Sequence, residues 1–190
     1  MNAHPAGVGA TLDAADQRWG DWTVVLLKPD CLRRHLVAPV LFWIGQVVDL
    51  VDVRQVQPTE EQIFVHYDDM LPLSEEIGRD VPAELRRIFV GNTVTVALGH
   101  GPDAAARVRA LVGPTDPAAA PTTTIRGRYA EDTLARATAE GRLVDNLIHT
   151  SDNPAAVPRD FATWYGPANT HLLRRPAPAT IPTTRAGGSS

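Results

Sequence analysis

The run Trp22-Thr23-Val24-Val25-Leu26-Leu27, closed by Lys28-Pro29-Asp30, decides how the rest of the chain is read. Apolar and β-branched residues held between Gly20-Asp21 and Lys28-Pro29 predict a buried strand with Lys28 at its exit. Working outward, residues 32–48 carry Leu36, Val40, Phe42, Trp43 and Val47 at roughly helical spacing, and residues 50–57 alternate through Val51, Val53 and Val56 as a second strand. Thr59 followed by Glu60, Glu61 and Gln62 is a helix start closed by a capping box, which places Tyr67 on that helix. Residues 74–90 predict one or two short helices, and residues 93–98 a third strand before a turn at Gly99 to Gly101. Residues 103–111 read as helix, the Pro- and Thr-rich residues 112–127 as an ordered loop, 131–140 as helix, 143–148 as a fourth strand and 154–165 as a closing helix. The order βαββαβ predicts an α+β fold, a ferredoxin-like sandwich with helices packed on an antiparallel sheet.

Length and composition set the frame. With 190 residues, 44% of them hydrophobic, the chain holds one well-buried core. The expected organisation is one domain over 20–175 between mobile tails, an Ala- and Gly-rich stretch at 1–19 and a Pro/Thr/Gly/Ser-rich one at 176–190. A formal charge of -4 and 18 Lys+Arg spread along the sequence give no basic tract for a nucleic-acid backbone, so any phosphate recognition must come from a local cluster. The single cysteine, Cys31, excludes an intramolecular disulfide and suggests no zinc site. No apolar run approaches the ~20 residues that span a bilayer, and no signal peptide opens the chain, so a cytoplasmic protein without membrane attachment is expected.

Chemistry concentrates in Asn146-Leu147-Ile148-His149-Thr150-Ser151-Asp152, which reads as a strand ending in an imidazole beside a hydroxyl and a carboxylate. A neutral imidazole, with a reference pKa of roughly 6.5, is a good nucleophile near neutral pH, and covalent catalysis on a phosphoryl group is within its reach. Moving a phosphoryl group also needs cations for its oxygens, and two guanidinium forks with one ammonium make a sensible cradle.

Those cations are found where the segment has company. With residues 23–30, Gly113-Pro114-Thr115-Asp116-Pro117 and Thr124-Ile125-Arg126-Gly127, all in one order between about Trp22 and Tyr165, the chain resembles the nucleoside diphosphate kinase family. The resemblance implies the ferredoxin-like fold and a ping-pong transfer of the γ-phosphate of ATP or another nucleoside triphosphate to a nucleoside diphosphate. In that scheme His149 becomes phosphorylated. Lys28, Arg109 and Arg126 match the phosphate-binding cations, Thr115 the phosphate-contacting hydroxyl, and Asn146 the ribose and phosphate contact. Tyr67 matches a tyrosine near the histidine, and Ser151 and Asp160 the hydroxyl and carboxylate that orient the imidazole. Mg²⁺ would arrive on the nucleotide, with no protein metal ligands, and a hexameric or tetrameric homo-oligomer is implied, the loop around Pro117 contributing.

Departures from the family pattern bear on the site. Thr150 stands where glycine usually follows the histidine, Asp160 is one methylene shorter than the usual glutamate, Arg128 replaces an aspartate, and Cys31 replaces a glycine that could require positive φ. Both the interval from Tyr129 to His149 and that from Tyr67 to Gly91 are longer than in short members. The second would place Val81 and Leu85 at the mouth where an aromatic ring stacks on the base. These differences keep open a relative adapted to another phosphorylated acceptor, and a catalytically weak nucleotide-binding scaffold.

Overall fold

Strand β1 (Trp22–Leu27) lies inside a four-stranded antiparallel sheet whose order is β2-β3-β1-β4, with β2 at Asp49–Val56, β3 at Val94–His100 and β4 at Ile148–Thr150. A computed structural model describes residues 19–174, so residues 1–18 and 176–190 of the expected tails lie outside the described residues. Trp19, placed at the end of the expected N-terminal tail, packs against Phe161 with ring centroids 6.0 Å apart. The helices are α1 (Pro29–Arg33), α2 (Val37–Ile44), α3 (Glu60–His66), α4 (Ser74–Ile77), α5 (Val81–Phe89), α6 (Ala104–Val112), α7 (Ile125–Tyr129), α8 (Leu134–Ala139) and α9 (Val157–Trp164).

All six residues of β1 are buried, and the pleat divides them between two cores. Val24 and Leu26 join Ile63, Phe89 and Phe161 on one face, while Val25 and Leu27 join Val40, Ile44 and Val108 on the other. A strand covered on both faces has no solvent side on which to alternate, hence its uninterrupted apolar run. Burying each such side chain stabilises the fold by roughly 1.5–3 kcal/mol. The outer strand β2, in contrast, alternates between exposed and half-buried residues.

The capping box forms as expected, with Thr59 Oγ1 accepting from the Gln62 amide at 3.2 Å and Gln62 Oε1 accepting from the Thr59 amide at 3.0 Å. Tyr67 terminates α3 as its C-cap.

Other expectations need correcting. Residues 32–48 form two helices because His35 adopts φ of 56°, in the left-handed region. The break leaves Pro39 in the first turn of α2, where its missing N–H costs nothing. Residues 112–127 end in a short helix, α7, capped by Thr124 Oγ1, which accepts from the Gly127 amide at 3.2 Å. β3 runs on through Gly99, whose missing Cβ gives Thr23 and Val48 room. Val81 and Leu85 do not line a mouth; they are 0% and 1% exposed in the core beneath α5.

The largest correction is the last strand, which covers Ile148–Thr150 in place of 143–148. Side chains hold the backbone before it. Lys28 Nζ donates to the Val144 carbonyl at 3.1 Å, Asp132 accepts from the Asp145 amide at 2.9 Å, and Asp30 accepts from the Leu147 amide at 2.9 Å. Leu147 itself has φ of 69°, which no ladder tolerates. The polar backbone of a buried loop must be satisfied somewhere, and here charged residues from the exit of β1, α1 and the loop before α8 do it.

Gly127 fixes how tightly the 113–127 loop wraps against α7. A Cβ there would penetrate the carbonyl oxygens of Pro121 and Ala120, which are backbone and cannot rotate away. Gly127→Ala is therefore expected to destabilise the protein by about 2–3 kcal/mol. Urea denaturation reads this directly, and a midpoint equal to that of the parent protein would refute the tight packing.

Candidate active site

His149 lies within β4, opposite Leu26 of β1, and not at a strand end as the sequence suggested. Its half-buried ring is flanked by the rings of His66 at 4.5 Å and Tyr67 at 5.4 Å, both from the C-terminal end of α3. Strand alternation sends the next side chain the other way. Thr150 is buried, and its hydroxyl pairs with that of Thr23 at 3.0 Å. The bulk that Thr150 would bring to the histidine is thus on the opposite face of the sheet.

The expected cations converge on this ring from three elements. Lys28, buried at the exit of β1, donates to Asn146 Oδ1 at 3.0 Å, and Asn146 Nδ2 donates to the Thr115 carbonyl at 2.9 Å. One amide therefore ties the lysine to the exposed Thr115 loop. Arg126 of α7 spreads its guanidinium over three carbonyls, donating to Asn146 at 3.3 Å, Gly113 at 3.0 Å and Ile148 at 2.6 Å. Arg109, on α6, is exposed and ion-paired with Asp152, three residues beyond His149.

Electrostatics follow from that placement. Burial holds the proton affinity of His149 well below that of a free imidazole, and the neighbouring His66, Arg126, Lys28 and Arg109 push it further down. Burial also lowers the proton affinity of Lys28, opposed chiefly by Asp30, and lowers Arg126 to about 10. Tyr67 is raised by burial, so its phenol stays protonated. A depressed affinity on a base leaves it unprotonated through mild acid. Imidazole NMR of His149 should accordingly show no titration midpoint between about pH 6 and pH 8, whereas an ordinary histidine would turn near pH 6.5. A midpoint in that window would contradict the environment described.

Ser151 and Asp160 are together, with Ser151 Oγ donating to Asp160 Oδ2 at 2.7 Å. Among the described residues neither forms a hydrogen bond to His149. The second carboxylate oxygen stands 3.7 Å from Nδ1 of His66, beyond hydrogen-bond distance, and 3.5 Å from Nη2 of Arg159. His66 is a residue that sequence reasoning missed. Its signal was present: Ile63, His66 and Tyr67 lie at i, i+3 and i+4, which puts a histidine on the apolar stripe of α3.

The remaining departures resolve structurally. Cys31 sits inside α1 with no positive φ, fully buried, and burial pushes its thiol up to about 12. The Arg128 guanidinium lies over the Trp43 and Tyr129 rings, each 5.7 Å away. Among the described residues no group of three or more His, Cys, Asp or Glu side chains could hold a metal ion, and no helix is long and apolar enough to cross a membrane.

Comparison with known proteins agrees with this picture. The family model described as nucleoside diphosphate kinase matches residues 21–170. The chain is 32% identical over 175 residues to the nucleoside diphosphate kinase of Pyrobaculum aerophilum, covering 75% of this chain and 93% of that protein. Identity to the corresponding protein of Streptococcus pneumoniae is 30% over 146 residues, with 75% and 98% covered. Among solved structures, a transition-state mimic of the Borrelia burgdorferi nucleoside-diphosphate kinase with bound vanadate and ADP matches with a TM-score of 0.69 at 26% identity, covering 76% of this chain and 86% of that one. The Pyrobaculum aerophilum NDP kinase structure matches with a TM-score of 0.62 at 29% identity, covering 76% and 95%.

Proposed function

Because the chain belongs to the nucleoside diphosphate kinase family, a phosphotransferase family, we propose that it moves the γ-phosphoryl group of a nucleoside triphosphate to a nucleoside diphosphate through phosphohistidine at His149. A ring nitrogen of neutral His149 attacks the γ-phosphorus, a P–N bond forms, the bond to the bridging oxygen breaks, and the nucleoside diphosphate leaves. The terminal oxygen of a second diphosphate then attacks the same phosphorus and breaks the P–N bond. Such a transfer asks the protein mainly for positioning and for charge opposite the phosphate oxygens.

The observation that carries this reading is the convergence of Lys28, Arg109 and Arg126 on one depressed imidazole. The cations serve twice: they keep the nucleophile unprotonated before transfer and face the negative charge that arrives with the phosphate. Tyr67 closes the site beside His149, Asn146 and Thr115 form the wall that meets the nucleotide, and Ser151 with Asp160 buttresses the strand. Mg²⁺ would enter with the nucleotide as part of the substrate and would offset its phosphate charge, with no side chain of this chain assigned to hold it. The vanadate and ADP held by the Borrelia burgdorferi relative support the same class of chemistry. The reading includes a homo-oligomer, supported by Val51, Val53 and Phe42, which are 38%, 44% and 66% exposed on β2 and α2.

The second reading, a relative specialised for another phosphorylated acceptor, rests on the altered region between Tyr67 and Gly91, where Val81 and Leu85 are buried in the core and do not line the expected mouth. Both readings are separated by one experiment. The full chain is incubated with γ-labelled ATP and Mg²⁺, freed of nucleotide, and offered a series of diphosphates. Acid-labile, base-stable label that several diphosphates discharge equally supports the general kinase. Discharge by one acceptor alone selects the specialised form, and a protein that never takes up label refutes both.

A further inference from the structure

The inner side of His149 is closed by His66, which is 2% exposed and whose ring meets that of His149 at 75°. Its Nδ1 accepts a hydrogen bond from Trp164 Nε1 at 3.1 Å. An indole N–H can only donate, so Nδ1 must hold a lone pair and the ring proton sits on Nε2. Trp164 thereby locks both the orientation and the tautomer of His66. Nε2 is left buried with no hydrogen-bond partner, and so is Asp160 Oδ1. Asp160 Oδ1 faces the Arg159 guanidinium at 3.5 Å, whereas His66 Nε2 lies beside the candidate nucleophile, and a buried polar atom without a partner calls for a physical reason.

On the phosphotransfer reading above, we propose that His66 is a positioning residue for the reaction, its locked ring setting the orientation of His149 in place of a carboxylate bonded directly to that imidazole. Asp160 engages Ser151 and Arg159 and lies beside His66, with no hydrogen bond to His149, so the ring that packs against that imidazole is His66. Edge-to-face packing at 4.5 Å fixes a plane as firmly as a hydrogen bond fixes a direction, and His66 in turn packs against Tyr67 at 4.8 Å and Trp164 at 5.3 Å. The orphan N–H of Nε2 adjoins the ring that would carry the phosphoryl group, whose oxygens are the acceptors it lacks.

Three variants of the full chain test this. His66→Phe keeps a ring and removes both nitrogens, His66→Gln restores an N–H near the Nε2 position, and Trp164→Phe removes only the donor that locks Nδ1. Single-turnover labelling of His149 should slow about 10- to 100-fold in His66→Phe with nucleotide KM within about threefold, the signature of a misaligned nucleophile, and His66→Gln should regain part of the loss. NMR of the imidazole nitrogens, recorded without nucleotide, should show His149 passing from one tautomer to an average in His66→Phe. Labelling within about twofold of the parent, a loss confined to KM, or unchanged His149 signals would overturn the proposal. Should His66→Phe fail to fold by circular dichroism, Trp164→Phe decides: His66 must then populate its second tautomer, and an unchanged His66 spectrum defeats the lock. A parent protein that takes up no label defeats the kinase reading instead, while the NMR arms still judge the orientation of His149.

Discussion

His149→Ala is expected to leave no acid-labile phosphoprotein and to cut exchange between a triphosphate and a second diphosphate by about 10³-fold or more, since a covalent route has no bypass once its nucleophile is gone. Nucleotide binding should survive, because Lys28, Arg109 and Arg126 are anchored independently of the imidazole, through Asn146 and Val144, through Asp152, and through the carbonyls of Gly113, Asn146 and Ile148. Calorimetric titration of the variant with ADP should therefore give a dissociation constant within about threefold of the parent. The two readouts are informative together. Exchange that persists in the variant would place the phosphoryl carrier elsewhere, whereas lost exchange with lost binding would make His149 part of the nucleotide pocket's framework.

Arg126→Ala carries the second large effect, and it falls first on stability. Arg126 is 8% exposed, and its guanidinium bonds to Gly113 at the start of the 113–127 loop and to Asn146 and Ile148 on either side of Leu147. Removing it strands the Ile148 carbonyl and the partly buried Gly113 carbonyl, while that of Asn146 keeps the Ile148 amide at 2.8 Å, and it frees the segment that feeds β4. A loss of about 3–5 kcal/mol is expected, which for a chain of this size lowers the melting temperature by roughly 6–20 °C. Arg126→Lys separates charge from geometry: a lysine restores the positive field near His149 but reaches one carbonyl, not three, and should recover less than about half of the stability. Calorimetric melting of the two variants measures this. If Arg126→Ala melts within about 2 °C of the parent, the clamp is not holding the strand, and the arginine acts on phosphate alone.

Several site features that looked doubtful in the sequence are settled by strand and helix geometry. Thr150 appears to crowd His149 only when the two are adjacent letters; in a pleated strand adjacency means opposite faces. Cys31 would be strained only if its position required positive φ, but the chain goes straight into α1, where any L-residue fits. The shortened Asp160 is the reverse case. Its type and position were readable, yet which group it would reach depended on where α9 sits against α3, and that is set by packing among Phe161, Trp164 and Ile63.

What the chain's letters alone determined is the set of elements with local causes, the buried β1, the capping box at Thr59 and the α+β class with its antiparallel sheet, while short motifs singled out His149 as a candidate through a resemblance. Periodicity, capping and short motifs act over a few residues, so a linear reading captures them. Tertiary structure alone decided that β4 shrinks to Ile148–Thr150, because the backbone before it is claimed by Lys28, Asp30, Asp132 and Arg126 from distant parts of the chain. It alone also brought His66 of α3 and Trp164 of α9 to the inner side of His149. Contacts between residues about 100 positions apart leave no periodic trace, since their free energy depends on how whole elements pack and not on what stands next to them in the sequence.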